Sequence, residues 1–127
     1  MWLEHLGVNF LPGATLVPMP LHLVRLWERG YNQSLILAEL LGKNLNLPVD
    51  DSLLLRVRYT RSQTKLPAEE RKKNVKGAFR CSSGVKGENL VLVDDVSTTG
   101  ATLLEAARTL KHGKARTVWC VTLARGR

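Results

Sequence analysis

Four apolar residues in succession, Leu90-Val91-Leu92-Val93, run directly into Asp94-Asp95 and then into the small, hydroxyl-rich stretch Val96-Ser97-Thr98-Thr99-Gly100-Ala101-Thr102. An apolar run without alternation is the pattern of a strand buried on both faces, as in a parallel sheet. Beyond the loop, Leu103, Leu104, Ala107 and Leu110 recur at helical spacing, with Lys111 in the last turn and Gly113 as terminator, and Thr99 or Thr102 is suited to cap the helix start. Strand, acids, small loop and helix in that order place the two acids at the C-terminal end of a strand. That is where open α/β sheets form their ligand crevices.

The chemistry of the loop follows from the helix that it feeds. The first amides of a helix lack intrahelical partners and carry partial positive charge, so a start lined by Ser97, Thr98, Thr99 and Thr102 is an anion site sized for one phosphate. Gly100 removes a side chain where an oxygen must approach the backbone. No lysine stands in the loop, and neither G-x-x-x-x-G-K-[ST] nor G-x-G-x-x-G occurs in the chain, which argues against nucleoside triphosphates and dinucleotides. Asp94 and Asp95, acceptors when ionised, suit the vicinal hydroxyls of a sugar attached to that phosphate. The same residues also fit a plain capped helix with two solvated acids, and spacing alone does not choose.

Upstream, Ala14 to Val17 follows the Pro12-Gly13 turn and is expected to be a short strand, which Val17-Pro18-Met19-Pro20 ends in an extended or turned backbone. His22, Arg25, Arg29, Gly30, Tyr31 and Asn32 follow, a cationic turn that reads either as a second phosphate site or as a basic surface loop. Asn32 is expected to cap a helix from Gln33, with Leu35, Ala38, Leu41 and Leu45 as its apolar stripe and Leu47-Pro48 as its end. Strands at about Leu53 to Arg58 and at Arg116 to Leu123 complete two βαβ units, which right-handed crossovers would join in one parallel sheet. Between the units, Tyr59 to Phe79 is a polar connection, either a solvated loop or a lid. Pro67 to Arg71 suits the opening of a short helix within it, and Phe79 a short strand before the Ser82-Ser83-Gly84 turn. Met1 to Leu11 has too little pattern to choose between a docked turn and a short helix.

At 127 residues the chain is expected to form one domain, residues 1–127. Its formal net charge of +8 is uneven: Arg56 to Lys76 holds eight basic residues against Glu69 and Glu70, an excess that favours a polyanion, whether diphosphate or nucleic acid. Cys81 and Cys120 each lie in or beside an apolar strand pattern and read as buried, reduced thiols, and no Cys/His cluster suggests zinc. The apolar runs are far shorter than a membrane span and Met1 to Pro12 does not read as a secretory signal, so membrane insertion is not expected and a cytoplasmic location is.

Val91 to Thr102 resembles the phosphoribosyl-diphosphate (PRPP) motif of type I phosphoribosyltransferases. With Val17-Pro18-Met19-Pro20-Leu21-His22, Arg29-Gly30-Tyr31-Asn32-Gln33, Gln63-Thr64-Lys65-Leu66, Glu70-Arg71 and Asn74-Val75-Lys76-Gly77-Ala78-Phe79, the chain resembles the ComF family of competence-associated phosphoribosyltransferase-like proteins over roughly Leu16 to Arg125. The resemblance implies an α/β, three-layer parallel-sheet type I phosphoribosyltransferase fold. It assigns Asp94 and Asp95 to the ribose, and Val96, Ser97, Thr98, Thr99, Gly100, Ala101 and Thr102 to the 5′-phosphate. By the same analogy Pro18, Met19, Pro20, Arg25 and Arg29 face the diphosphate, and about 59–77 forms a flap whose Arg61, Lys65, Arg71, Lys72 and Lys73 meet the ligand or nucleic acid.

The implied ligand is PRPP or another phosphoribosyl compound with Mg²⁺ held through it, and the implied setting is DNA uptake, with single-stranded DNA and other competence proteins as partners. A non-catalytic single-stranded-DNA-binding protein that retains a phosphoribosyl site is the alternative. No residue stands out as a general base, and neither the acceptor nor the oligomeric state is legible. The four-cysteine zinc module and first helix common in the family are not recognisable, so a shortened start or a minimal paralogue is expected, with part of the sheet uncovered.

Overall fold

The computed structural model describes residues 13–21, 23–58, 67–82, 84–97 and 100–125. In order these form β1 (Thr15–Pro18), α1 (Leu23–Arg29), α2 (Gln33–Leu45), β2 (Leu54–Arg56), α3 (Ala68–Val75), β3 (Phe79–Cys81), β4 (Asn89–Ser97), α4 (Ala101–His112) and β5 (Thr117–Arg125). The expected segment Met1 to Leu11 lies outside the described residues.

β4 is the centre of a parallel sheet ordered β1-β4-β5. Val17 pairs with Leu92 on one side, and Leu92 with Cys120 on the other. Leu90 and Leu92 enter the core formed with Leu103, Ala106 and Leu110 of α4, whereas Val91 and Val93 join Leu16 of β1 and Ala38 and Leu41 of α2. The unalternating run is thus the trace of a strand with a helix on each face, and all four of its residues are buried. Each such side chain contributes about 1.5–3 kcal/mol by leaving water.

The α2 helix forms as its sequence indicates. Asn32 takes an extended backbone and its side chain accepts a hydrogen bond from the Ser34 N–H, while Asn46, in the left-handed region at φ 56°, ends the helix. Ala38 and Leu41 are buried and Leu35 half-buried, and the buried face also includes Ser34 and Gly42.

Other expectations are corrected. Leu53 to Arg58 does not join the parallel sheet: β2 pairs antiparallel with β3, Leu55 opposite Arg80. The chain leaving α2 meets β1 in a single parallel bridge between Val49 and Leu16, in which the Leu16 N–H donates to the Pro48 carbonyl and the Asp50 N–H to the Leu16 carbonyl. Ser52 N–H then bonds the Asp50 side chain at 2.8 Å, a turn of the kind Asp favours, and it carries the chain away from β1 before β2 begins. The residues read as a cationic turn include a seven-residue helix, α1. The α4 helix is preceded by Gly100 at φ 80° with no side-chain cap, so Thr102 lies inside the helix and Thr99 is outside the described residues. Leu104 is exposed and Ala106 takes the buried position instead. Cys120 is exposed on β5, whose only described partner is β4, and Cys81 is partly buried; both are free thiols. No described helix is long and apolar enough to cross a membrane.

Candidate active site

β4 extends beyond the apolar run, so Asp94 and Asp95 stand within the strand, Asp94 in register with Thr122. Both are half-buried. Asp94 Oδ1 accepts two hydrogen bonds, from the Ser34 hydroxyl at 3.1 Å and from the Asp95 N–H at 2.9 Å. Burial first, then the hydrogen bond and charge of Asp95, push the Asp94 carboxyl up to about 6, against the pull of the Ser34 hydroxyl and the Asp95 amide, which favour the ionised form. A carboxylate so placed is ionised at neutral pH but close to its titration.

The turn after β1 lies beside these acids. The Met19 N–H donates to the Val93 carbonyl at 2.8 Å, and the Met19 carbonyl accepts from Asn32 Nδ2 at 3.1 Å. Its side chain is buried in the core. Pro18 and Pro20 have no N–H to give, and Met19's is committed to the sheet. The Pro18–Pro20 turn therefore supplies shape, and donors for an anion here must come from neighbouring residues.

Asp94, Asp95 and Thr102 line a cavity of about 60 Å³ together with Met19, Pro20 and Leu21 of the turn, Asn32, Gln33 and Ser34 of the α2 start, and the cations Arg29 and Arg56. The volume is that of about two waters, so it marks the floor where these segments meet. A larger groove of about 790 Å³ adjoins it through Pro20, Leu21, Asn32 and Arg56, and half-exposed Tyr31, Ile36, Leu55 and Val57 line its apolar part.

Among the residues singled out from sequence, Asp94, Asp95, Thr102, Met19, Pro20 and Arg29 come together around the small cavity. Pro18 ends β1, buried, and lines the larger groove. Gly100 and Ala101 form the α4 start. Lys73 is exposed on α3. Val96 and Ser97 lie in β4, Arg25 in α1, and Arg71 and Lys72 in α3, with side chains outside the described residues. Thr98, Thr99, Arg61 and Lys65 lie outside them altogether.

Sequence reasoning missed Ser34 and Arg56 as site residues. Ser34 sits two positions after a helix cap, where a serine draws no notice. Arg56 was counted only as one charge in a basic run, yet β2 brings it to the cavity with its guanidinium 5.2 Å from the centre of the Phe79 ring, a cation–π distance. The pairing of β2 with β3 creates this contact, and no local pattern announces it.

Residues 32–127 match the model of the phosphoribosyl transferase domain. The chain is 44% identical over 108 residues to a DNA utilization protein, YhgH, of Salmonella typhi, a match covering 84% of this chain and 48% of that protein. It is 40% identical over 105 residues to Competence protein F of Haemophilus influenzae, covering 80% and 45%. Over 116 residues it is 40% identical to Competence protein ComFC of Bacillus subtilis, covering 87% and 44%. It thus spans about half the length of these curated relatives. Among solved structures, an allosteric regulatory enzyme of purine biosynthesis aligns with a TM-score of 0.56 at 19% identity, over 87% of this chain and 22% of that one. The TT1426 protein of Thermus thermophilus aligns with a TM-score of 0.55 at 15% identity, over 98% and 79%. The fold, the domain match and these relatives agree: the chain belongs to the phosphoribosyl transferase domain family and, within it, to the ComF group of competence-associated proteins.

Proposed function

We propose that this chain binds PRPP with Mg²⁺ at Asp94–Thr102 and acts in the cytoplasm in the handling of incoming DNA, a role supported by relatives named for DNA utilization and for competence. The observation that carries the ligand reading is the placement of Asp94 and Asp95: two carboxylates just beyond the buried run of a parallel strand, sharing a cavity with Thr102 of the α4 start and with Arg29 and Arg56. Carboxylates accept from the ribose hydroxyls, the helix start receives the 5′-phosphate, and the guanidiniums face the diphosphate.

Transfer from PRPP breaks the bond between ribose C1 and a diphosphate oxygen, so positive charge grows on the sugar and negative charge on the leaving group. Arg29 and Arg56 are placed to stabilise that leaving charge, and the turn built on Met19 fixes where it sits. Mg²⁺, when bound, neutralises diphosphate charge. Among the described residues no cluster of three or more His, Cys, Asp or Glu side chains could hold a metal ion; in this reading Mg²⁺ is held by ligand oxygens and water. No described residue is placed as a general base for an acceptor, so binding is proposed ahead of turnover.

Calorimetric titration with PRPP, with and without Mg²⁺, tests this against an Asp94→Asn/Asp95→Asn variant. Heat that requires the metal and disappears in the variant is expected. A folded wild-type chain that gives no heat, or a variant that binds equally well, would overturn the reading.

A further inference from the structure

The proposed ligand spans two parts of the sheet, a turn on β1 for its diphosphate and carboxylates on β4 for its ribose, and both parts are touched by the first residues of α2. Asn32 uses both ends of its amide: Oδ1 accepts the Ser34 N–H at 3.0 Å, and Nδ2 donates to the Met19 carbonyl at 3.1 Å. Helix capping requires only the first of these. Ser34, 4% exposed, is the one buried polar side chain among the described residues. A hydroxyl there costs stability unless it is bonded, and its partner is Asp94, sixty positions away in sequence.

We propose that Asn32 and Ser34 are positioning residues that hold the diphosphate turn and the ribose carboxylates in fixed register through a single helix start. The inference rests on the PRPP reading for its ligand. Asn32 orients the turn through the Met19 carbonyl, opposite the bond by which the Met19 N–H meets Val93. Ser34 orients Asp94. Because α2 is packed against β1 and β4 by Leu16, Ala38, Leu41, Val91 and Val93, the helix start is a fixed platform from which each contact holds its own end of the site. A site held this way meets an extended ligand already spaced for both ends, and misplacement of either end is costly.

The test uses two substitutions and three probes. Asn32→Ser keeps a good helix cap but is too short to reach Met19, and Ser34→Ala removes only the donor to Asp94. Asn32→Ser is expected to weaken inorganic pyrophosphate with Mg²⁺ by about ten-fold and to leave ribose 5-phosphate within about two-fold. Ser34→Ala is expected to do the reverse, and each substitution weakens PRPP by about ten-fold or more.

A readout without ligand separates positioning from general stability. In a ¹³C carboxyl titration, the Asp94 midpoint rises in Ser34→Ala, which loses a bond to the ionised form, and stays in place in Asn32→Ser. Both substitutions leave the other charged or titratable groups around Asp94 unchanged: Asp95 on its own strand, Cys120 on β5, and Arg29 and Arg56 across the cavity. An unmoved Asp94 midpoint in Ser34→Ala, or probe affinities that fall together in both variants, would overturn the proposal. If wild type binds none of the probes, the PRPP reading fails, and the Asp94 midpoint still decides whether Ser34 sets that carboxylate.

Discussion

The starts of α2 and α4 border the same cavity, the first tied by the Asn32 and Ser34 side chains to the β1 turn and to β4, the second led by Gly100 with no side-chain cap. One start is used for internal hydrogen bonding. The other begins with a bare left-handed glycine two residues before Thr102, where a phosphate would need close approach to the backbone. The division suggests how a site on a small sheet works: the side that must hold distances is bonded to its neighbours, and the side that must accept an anion carries no side chain at its entry.

Substitutions at two glycines probe this contrast most strongly. A Cβ on Gly42, in the last turns of α2, would lie 2.7 Å from the Leu47 carbonyl oxygen and 2.9 Å from Val49, at the point where the chain folds back to bridge Leu16. Gly42→Ala is expected to lose about 2–3 kcal/mol in denaturant unfolding, because a backbone atom has to move. A Cβ on Gly100 meets nothing within 4 Å, but its φ of 80° disfavours any side chain. Gly100→Ala is therefore expected to cost only about 1 kcal/mol, with a larger relative effect on phosphate binding than on stability. If the two costs were equal, the contrast between a packed helix and an open one would fail.

A separate effect, of opposite sign, comes from Asp94. Its carboxyl titrates near 6 in the folded chain and near 4 when unfolded, so between these values the folded state holds more protons than the unfolded one. Its contribution to stability therefore falls as pH rises from about 4 to about 6 and stays low above that. Asp94→Asn keeps an oxygen for Ser34 and removes the buried charge. It should be more stable than wild type by on the order of 1–2 kcal/mol at pH 7, with the difference shrinking towards pH 4 in parallel urea titrations. A constant difference across that range would place the effect elsewhere than in the charge.

The parts legible in the sequence were those written in neighbouring residues. The β4 run, its two acids, the Asn32 cap and the Gly113 end of α4 each rest on a local rule of periodicity or capping, and each is found. The parts that were not legible depend on what lies far along the chain. Three residues such as Leu54–Arg56 read equally well as a parallel or an antiparallel strand, and only their partner, Phe79–Cys81, decides. Cys120 was read as buried because its strand is apolar, but a strand with one described neighbour exposes Trp119, Cys120 and Leu123. The same holds in the site. Asp94 and Asp95 could be nominated from their motif, whereas Ser34 and Arg56 become visible only when α2 and β2 bring them to the cavity.

Amide chemical-shift mapping with ribose 5-phosphate tests the central claim most directly, since this probe carries the sugar and the phosphate but no diphosphate. The account predicts saturable shifts centred on Asp95 and on Gly100 to Thr102, with Ser34 responding through Asp94. Shifts confined to the basic stretch from Arg56 to Lys76, with none at β4 or the α4 start, would contradict it.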